Sequence, residues 1–218
     1  MKKILILITI IFFLPIVKAE EITDLAPNAS SAIMIEASTG EILFNKNENE
    51  KLAPASMTKM MSMLLIMEEI EKGTLKWDEI ITASANASSM GGSQIFLEAG
   101  EKMTVTELVK GIAIASGNDA TVAMAERIAG TEESFVKRMN SKAKELGLKN
   151  TNFKNTTGLD EANHYSTAHD MAIIAKELVK HEKILEFSSI YETYLRVDTD
   201  NKFWLVNTNK VVYKNYYS

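Results

Sequence analysis

The stretch Ser56-Met-Thr-Lys-Met-Met-Ser-Met-Leu-Leu-Ile-Met-Glu-Glu-Ile-Glu-Lys72 decides how this chain is read. Met57, Met60, Met61, Met63, Leu64, Leu65, Met67 and Ile70 leave almost no polar face, which predicts a helix buried in the middle of a domain and ended by Gly73. On a helix, residues three apart share a face, so Lys59 is expected beside the Ser56 hydroxyl. That hydroxyl is a poor nucleophile until a base takes its proton. A lysine among apolar neighbours, at the helix end that disfavours cations, is destabilised as an ammonium and becomes a plausible base. Ser56 and Lys59 are therefore a candidate nucleophile and base. The competing reading is Ser56 as an ordinary N-cap, with Lys59 reaching out to water. Ser134-Phe-Val-Lys137 and Ser141-Lys-Ala-Lys144 match the same string. They lie among Glu132, Glu133, Arg138, Lys142 and Glu145, and read as a solvated helix face.

Outward from this helix, Ser31 to Glu36 and Glu41 to Asn45 are short apolar runs around Ala37-Ser-Thr-Gly40, the pattern of a β-hairpin. Ala83 to Gly92, rich in Ser, Asn and Gly, reads as a long loop. Helices are predicted from Thr104 or Thr106 to Ala115, Asp119 to Ala129, Thr131 to Leu146, and Met171 to Lys180 with Ala172, Ile173, Ala175 and Leu178 inward. Asn150 to Asp170 reads as loop, and Tyr191 to Val197 alternates like a short strand. The expected fold class is a single α+β domain.

The chain has 218 residues, 46% hydrophobic and 24% charged, which suits one sizeable core and excludes disordered and fibrous classes. Its net charge of −5 gives no footprint for nucleic acid. Cysteine is absent, so disulfides, thiolate chemistry and Cys-based zinc sites are excluded. Lys2 and Lys3, an apolar run from Ile4 to Val17, and Val17-Lys18-Ala19 form the pattern of a secretory signal cleaved after Ala19. Residues 1–19 are thus expected as a leader and 20–218 as the mature chain. Without Lys2, Lys3 and Lys18 the 24 basic residues fall to 21 against 29 acidic ones, a net charge of −8. Export without cysteine fits a bacterial cell envelope.

Ala115-Ser-Gly-Asn-Asp119, between two helices, can aim the Ser116 hydroxyl and the Asn118 amide into a cleft, one relaying a proton and the other binding a substrate amide. Alternatively Gly117 simply ends one helix and Asn118 or Asp119 caps the next. Ser84-Ala-Asn86 carries the same string. His164 and His169, with Glu161 and Asp170, lack the helical His-Glu-x-x-His spacing of a zinc site, so His164 and Asp170 are read as capping or turn residues. No metal and no cofactor is expected, and the twelve methionines are read mostly as core filler.

Ser56-x-x-Lys59 opening a buried helix, followed about sixty residues later by Ser116-x-Asn118 between two helices, resembles the first two motifs of penicillin-binding proteins and serine β-lactamases. Pro54 to Lys59, Ile95 to Gly100, Ala115 to Ala120, Lys144 to Gly147, Thr157 to Asp160 and His164 to Ala168 resemble the low-molecular-mass D-alanyl-D-alanine carboxypeptidases, in order along nearly everything from Ala32 to Lys214. The resemblance implies a helical cluster packed on an antiparallel sheet. It also implies that Ser56 attacks the penultimate D-Ala carbonyl of a peptidoglycan stem peptide ending in D-Ala-D-Ala, with Lys59 as general base, forming an acyl-enzyme and releasing D-alanine. Ser116 would serve the proton relay, Asn118 the acyl-side amide, and the Ser56 backbone N–H half of an oxyanion hole. β-Lactam antibiotics would acylate the same serine and leave it slowly.

The family's third motif, a Lys-Thr-Gly strand, is not found; Asn207 to Tyr217 looks like the segment that precedes it. The chain is accordingly expected to be truncated. Its sheet would be incomplete, with one hairpin. The second oxyanion donor, the cationic clamp, a β-rich second domain and the membrane anchor would lie in what is missing. Two other readings stay open. A serine β-lactamase is disfavoured because no Glu-x-x-Leu-Asn segment follows Asn118. A noncatalytic wall-binding or penicillin-sensing protein would keep the cleft without turnover.

Overall fold

The computed structural model describes residues 24–213. The leader expected at residues 1–19 lies outside the described residues, as do residues 214–218. Strands β1 (Ala32–Ile35) and β2 (Ile42–Lys46) pair antiparallel with a register shift at Met34/Ile35. The Glu36 carboxylate closes their turn by accepting the Thr39 N–H and the hydroxyls of Ser38 and Thr39.

A 3₁₀ turn, Ala55–Thr58, leads into α1 (Lys59–Glu71). The central helix is enclosed by four later helices, and Met61, Leu64, Leu65, Ile66 and Met67 are at most 3% exposed. Burying each such side chain is worth about 1.5–3 kcal/mol, so α1 is the element around which the rest condenses. Gly73, at φ +74°, follows its C-terminus as the pattern required. Met57 departs from the pattern: it lies in the 3₁₀ turn, outside the helix, and is 51% exposed.

Next come β3 (Ile80–Thr82), α2 (Ala85–Ser88), β4 (Lys102–Thr104), α3 (Val105–Ala115), α4 (Asn118–Ala129) and α5 (Glu132–Glu145). The stretch from Ala83 to Gly92 is not loop throughout, because Ser84 caps one short turn of helix by accepting the Ala87 N–H. Strands β3 and β4 pair antiparallel but are three residues each, too short for an alternation to show in sequence. Thr104 and Glu107 form a reciprocal capping box that fixes the start of α3.

The chain ends with α6 (Ala168–Leu178), α7 (Glu182–Ser188), β5 (Glu192–Leu195), β6 (Phe203–Val206) and α8 (Lys210–Tyr213). α6 begins earlier than its pattern suggested, because Thr167 caps it by accepting the Asp170 N–H. Its inward residues are Met171, Ile174 and Leu178; Ala172, Ile173 and Ala175 are only half-buried, since α1 covers a narrower stripe than their apolarity implied. α7 is absent from the sequence pattern: seven residues anchored by Ile184 and Phe187 carry too little periodicity. The architecture is α+β, and its sheet component is three separate two-stranded antiparallel ladders where the sequence suggested one hairpin. No helix among the described residues is long and apolar enough to cross a membrane.

Candidate active site

Ser56 does not cap α1; it sits inside the 3₁₀ turn ahead of it, and Lys59 is the first α-helical residue. Side chains three apart eclipse in 3₁₀ geometry, which stacks the two more directly than an α-helix would. Lys59 Nζ lies 3.3 Å from Ser56 Oγ and donates to the Thr157 carbonyl at 2.8 Å. Lys59 is 2% exposed, so it does not reach out to water, whereas Ser56 is exposed. Burial lowers the lysine pKa from 10.5 to about 8. At pH 7 roughly a tenth of the molecules then hold a neutral amine able to accept the serine proton. An open hydroxyl over a desolvated amine is suited to nucleophilic attack on a carbonyl.

The lysine is held from the far side by residues 155–159. Ser62 donates to the Thr156 carbonyl, and Glu132 of α5 accepts the Thr156 N–H and hydroxyl. His164 accepts the Lys154 N–H at Nδ1, which leaves its proton on Nε2 to donate to Thr58 Oγ1 at 2.9 Å. Burial pushes the His164 pKa down, favouring this neutral form. His164 is thus a brace on the nucleophile's turn. Asp170 accepts the Asn150 N–H and the Thr151 hydroxyl, tying down the loop ahead of α6; its carboxylate does not cap the helix, as its sequence position suggested. His169 Nδ1 lies 3.3 Å from Asp170 Oδ1 while the His164 ring is taken up by Thr58 and Lys154, and no metal-holding cluster is found among the described residues.

Between α3 and α4, Ser116 adopts the left-handed conformation (φ 58°, ψ 37°) and ends α3 in the place expected for Gly117. Gly117 has an ordinary φ of −61° and neither Asn118 nor Asp119 caps α4. Left-handed serine costs about 1 kcal/mol and persists where packing dictates it. Asn118 donates to the Gly91 carbonyl at 2.7 Å, which orients its amide. Its Oδ1 is buried with no hydrogen-bond partner among the described residues. A buried acceptor without a partner is costly unless a ligand N–H completes it.

The Asp119 carboxylate accepts the N–H groups of Ile95, Leu97 and Ala120 and so positions Ile95 to Leu97. Asp119→Asn, which puts donors opposite those donors, should lower stability by about 2 kcal/mol or more in a urea titration. A variant within 0.5 kcal/mol of wild type, roughly the spread of neutral surface changes, would show the brace to be dispensable.

The structure brings Ser56 and Lys59 into contact. Asn118 lies next to Gly92, where a Cβ would meet Asn118 Nδ2 at 2.8 Å and Leu159, in the loop that holds Lys59, at 3.7 Å. The Ser116 hydroxyl hydrogen-bonds to neither Ser56 nor Lys59 among the described residues. Ser141 donates to the Lys137 carbonyl, Ser134 pairs with Thr131, and Lys137 and Lys144 are exposed, as a solvated face requires.

A family model for peptidase S11, D-alanyl-D-alanine carboxypeptidase, matches residues 17–218. The chain belongs to the D-alanyl-D-alanine carboxypeptidase family. It is 65% identical over 190 residues to the D-alanyl-D-alanine carboxypeptidase DacF of Bacillus subtilis, covering 87% of this chain and 49% of that one. It is 36% identical over 211 residues to DacC of Escherichia coli, covering 93% and 52%. The carboxypeptidase DacD of Francisella tularensis superposes with a TM-score of 0.75 at 39% identity, over 77% of this chain and 41% of that one. Penicillin binding protein 6B of Escherichia coli gives 0.80 at 30%, over 86% and 60%. The chain spans about half the length of the curated relatives it matches. Within this member of the family, the part of the site that sequence reasoning left without a role is Asn155, the Thr157 carbonyl and Gly158. Thr157 and Gly158 were signalled only by Thr157-Gly-Leu-Asp160 as a piece of family likeness, and Asn155 only by its place in the Asn150 to Asp170 loop.

Proposed function

We propose that this chain carries the acylating residues of a serine D-alanyl-D-alanine carboxypeptidase. Ser56 Oγ attacks the penultimate D-Ala carbonyl of a stem peptide as neutral Lys59 Nζ takes its proton. The C–N bond to the terminal residue breaks, the departing amine receives a proton, and D-alanine leaves. Water then hydrolyses the ester on Ser56. Asn118 Oδ1 accepts an N–H from the acyl side of the substrate, Ser116 relays protons, and the Ser56 N–H faces the oxyanion. The observation that carries this reading is the buried amine of Lys59 3.3 Å from an exposed serine hydroxyl. β-Lactams are expected to acylate the same oxygen. The site of action is the bacterial cell envelope, reached through the leader at residues 1–19, and no metal or cofactor takes part.

The test is D-alanine release from a peptide ending in D-Ala-D-Ala, measured on the full chain beside labelling by a fluorescent penicillin. Release exceeding one equivalent per chain supports the peptidase. Stable labelling without release would mean a penicillin-sensing protein, and rapid penicillin turnover a β-lactamase.

A further inference from the structure

We propose that Asn155 is a positioning residue that shapes the Thr157–Leu159 loop and, through Gly158, holds it against the Ser56–Lys59 pair. The proposal rests on the reading of that pair given above. The Asn155 Oδ1 collects the Gly158 N–H at 2.7 Å, the Thr157 N–H at 3.3 Å and the Thr157 hydroxyl at 3.4 Å. Its Nδ2 donates to the Leu159 carbonyl at 2.9 Å and to the Glu161 carboxylate at 3.2 Å. One side chain thus organises both ends of the turn, as asparagine does when its amide replaces a backbone partner. The turn aims the Thr157 carbonyl at Lys59 Nζ and covers the amine.

The same turn lies against Ala55 and Thr58, which flank the nucleophile. Gly158 has φ +85°, and a Cβ there would lie 1.8 Å from the Ala55 carbonyl oxygen and 2.9 Å from Thr58 Oγ1. Ala55, immediately before Ser56, is itself at φ +47°. Two backbone segments meet with no room for a methyl group, one in a conformation alanine rarely takes. The loop therefore fixes the entry to the 3₁₀ turn and the direction of the amine together. The titratable groups on the surrounding elements are Glu132, bound to Thr156, His164, bound to Thr58, and Asp160 and Glu161 beyond the loop. None of them hydrogen-bonds to the amine among the described residues.

Releasing the loop should admit water to Lys59 and let its pKa return toward 10.5. The experiment compares wild type with Asn155→Ser, Asn155→Ala and Gly158→Ala on the full chain. It follows the Lys59 amine by NMR of lysine-labelled protein and the rate of acylation by a fluorescent penicillin, both against pH. In Asn155→Ala the Lys59 titration and the acid limb of the rate profile should move up by about one unit, with acylation at pH 7 falling about tenfold. Asn155→Ser should fall between, because a hydroxyl serves such a turn more weakly. Gly158→Ala should lose more than Asn155→Ala or not fold, which is why the asparagine variants carry the decision. An unmoved Lys59 titration in Asn155→Ala, even with a lower melting temperature, would overturn the proposal. If wild type is not labelled, or Ser56→Ala is labelled equally, the reading of the pair fails, and the NMR titration still decides the role of Asn155.

Discussion

Ser56→Ala should abolish covalent labelling by a fluorescent penicillin, while Ser134→Ala and Ser141→Ala label as wild type does. All three serines have a lysine three residues on, so spacing alone does not choose among them. Their surroundings do. Lys137 and Lys144 are exposed on the outer face of α5, where nothing strips water from them. The Ser141 hydroxyl donates to the Lys137 carbonyl and Ser134 is engaged with Thr131. Lys59 alone of these lysines is buried, with burial holding its pKa near 8. Losing the Ser56 oxygen removes the atom that forms the ester, so the expected loss is complete. Intact-mass measurement after incubation reads it directly: a penicilloyl adduct on Ser56→Ala would end the nucleophile assignment.

Lys59→Met should slow acylation by about 10²- to 10⁴-fold, the usual contribution of a positioned base, yet make the folded chain more stable at pH 7. The lysine pKa is lower folded than unfolded, about 8 against 10.5, so between those values the unfolded chain binds the extra proton. Stability contributed by this group therefore rises with pH across that window, by about 3 kcal/mol in all, and at pH 7 nearly the whole penalty is present. Methionine fills similar volume without a charge, but it leaves the Thr157 carbonyl without its donor at a cost of about 1–3 kcal/mol. The net expectation is a gain of about 1 kcal/mol at pH 7 that turns into a loss of about 2 kcal/mol as pH approaches 10.5, where only the unpartnered carbonyl still counts. Urea unfolding of both proteins at pH 7 and pH 10 measures the difference. A variant less stable than wild type at pH 7, with the same difference at pH 10, would mean that the lysine is not strained by burial.

Much of this site is legible in the amino-acid sequence, and the legible part is local. The apolar run from Met60 to Ile70 marks α1, and the Thr104 and Thr131 regions mark helix starts, because caps and periodicity depend on neighbours within a turn or two. The three-residue spacing of Ser56 and Lys59 is enough to put them on one face. The three-residue strands β3 and β4 and the seven-residue α7 are not legible because they are stabilised by partners distant in sequence: Ile80 pairs with Thr104, and α7 packs on α3. Ser116 in the left-handed conformation escapes for a related reason. Local propensity favours Gly117 there, and only the packing of α3 against α4, with Asn118 N–H on the Ser93 carbonyl, reverses it.

The sequence by itself determined the order of the elements, the central helix and which side chains share a turn, since covalent spacing and side-chain polarity settle those within a few residues. Only the tertiary structure decided that Lys59 is dry while Lys137 and Lys144 are wet. It also decided that Asn118 is left with an unpartnered oxygen, and that Gly158 lies against the backbone of Ala55. Desolvation and steric exclusion are sums over everything nearby in space. The carbonyl that the Lys59 amine meets belongs to Thr157, ninety-eight residues further along the chain.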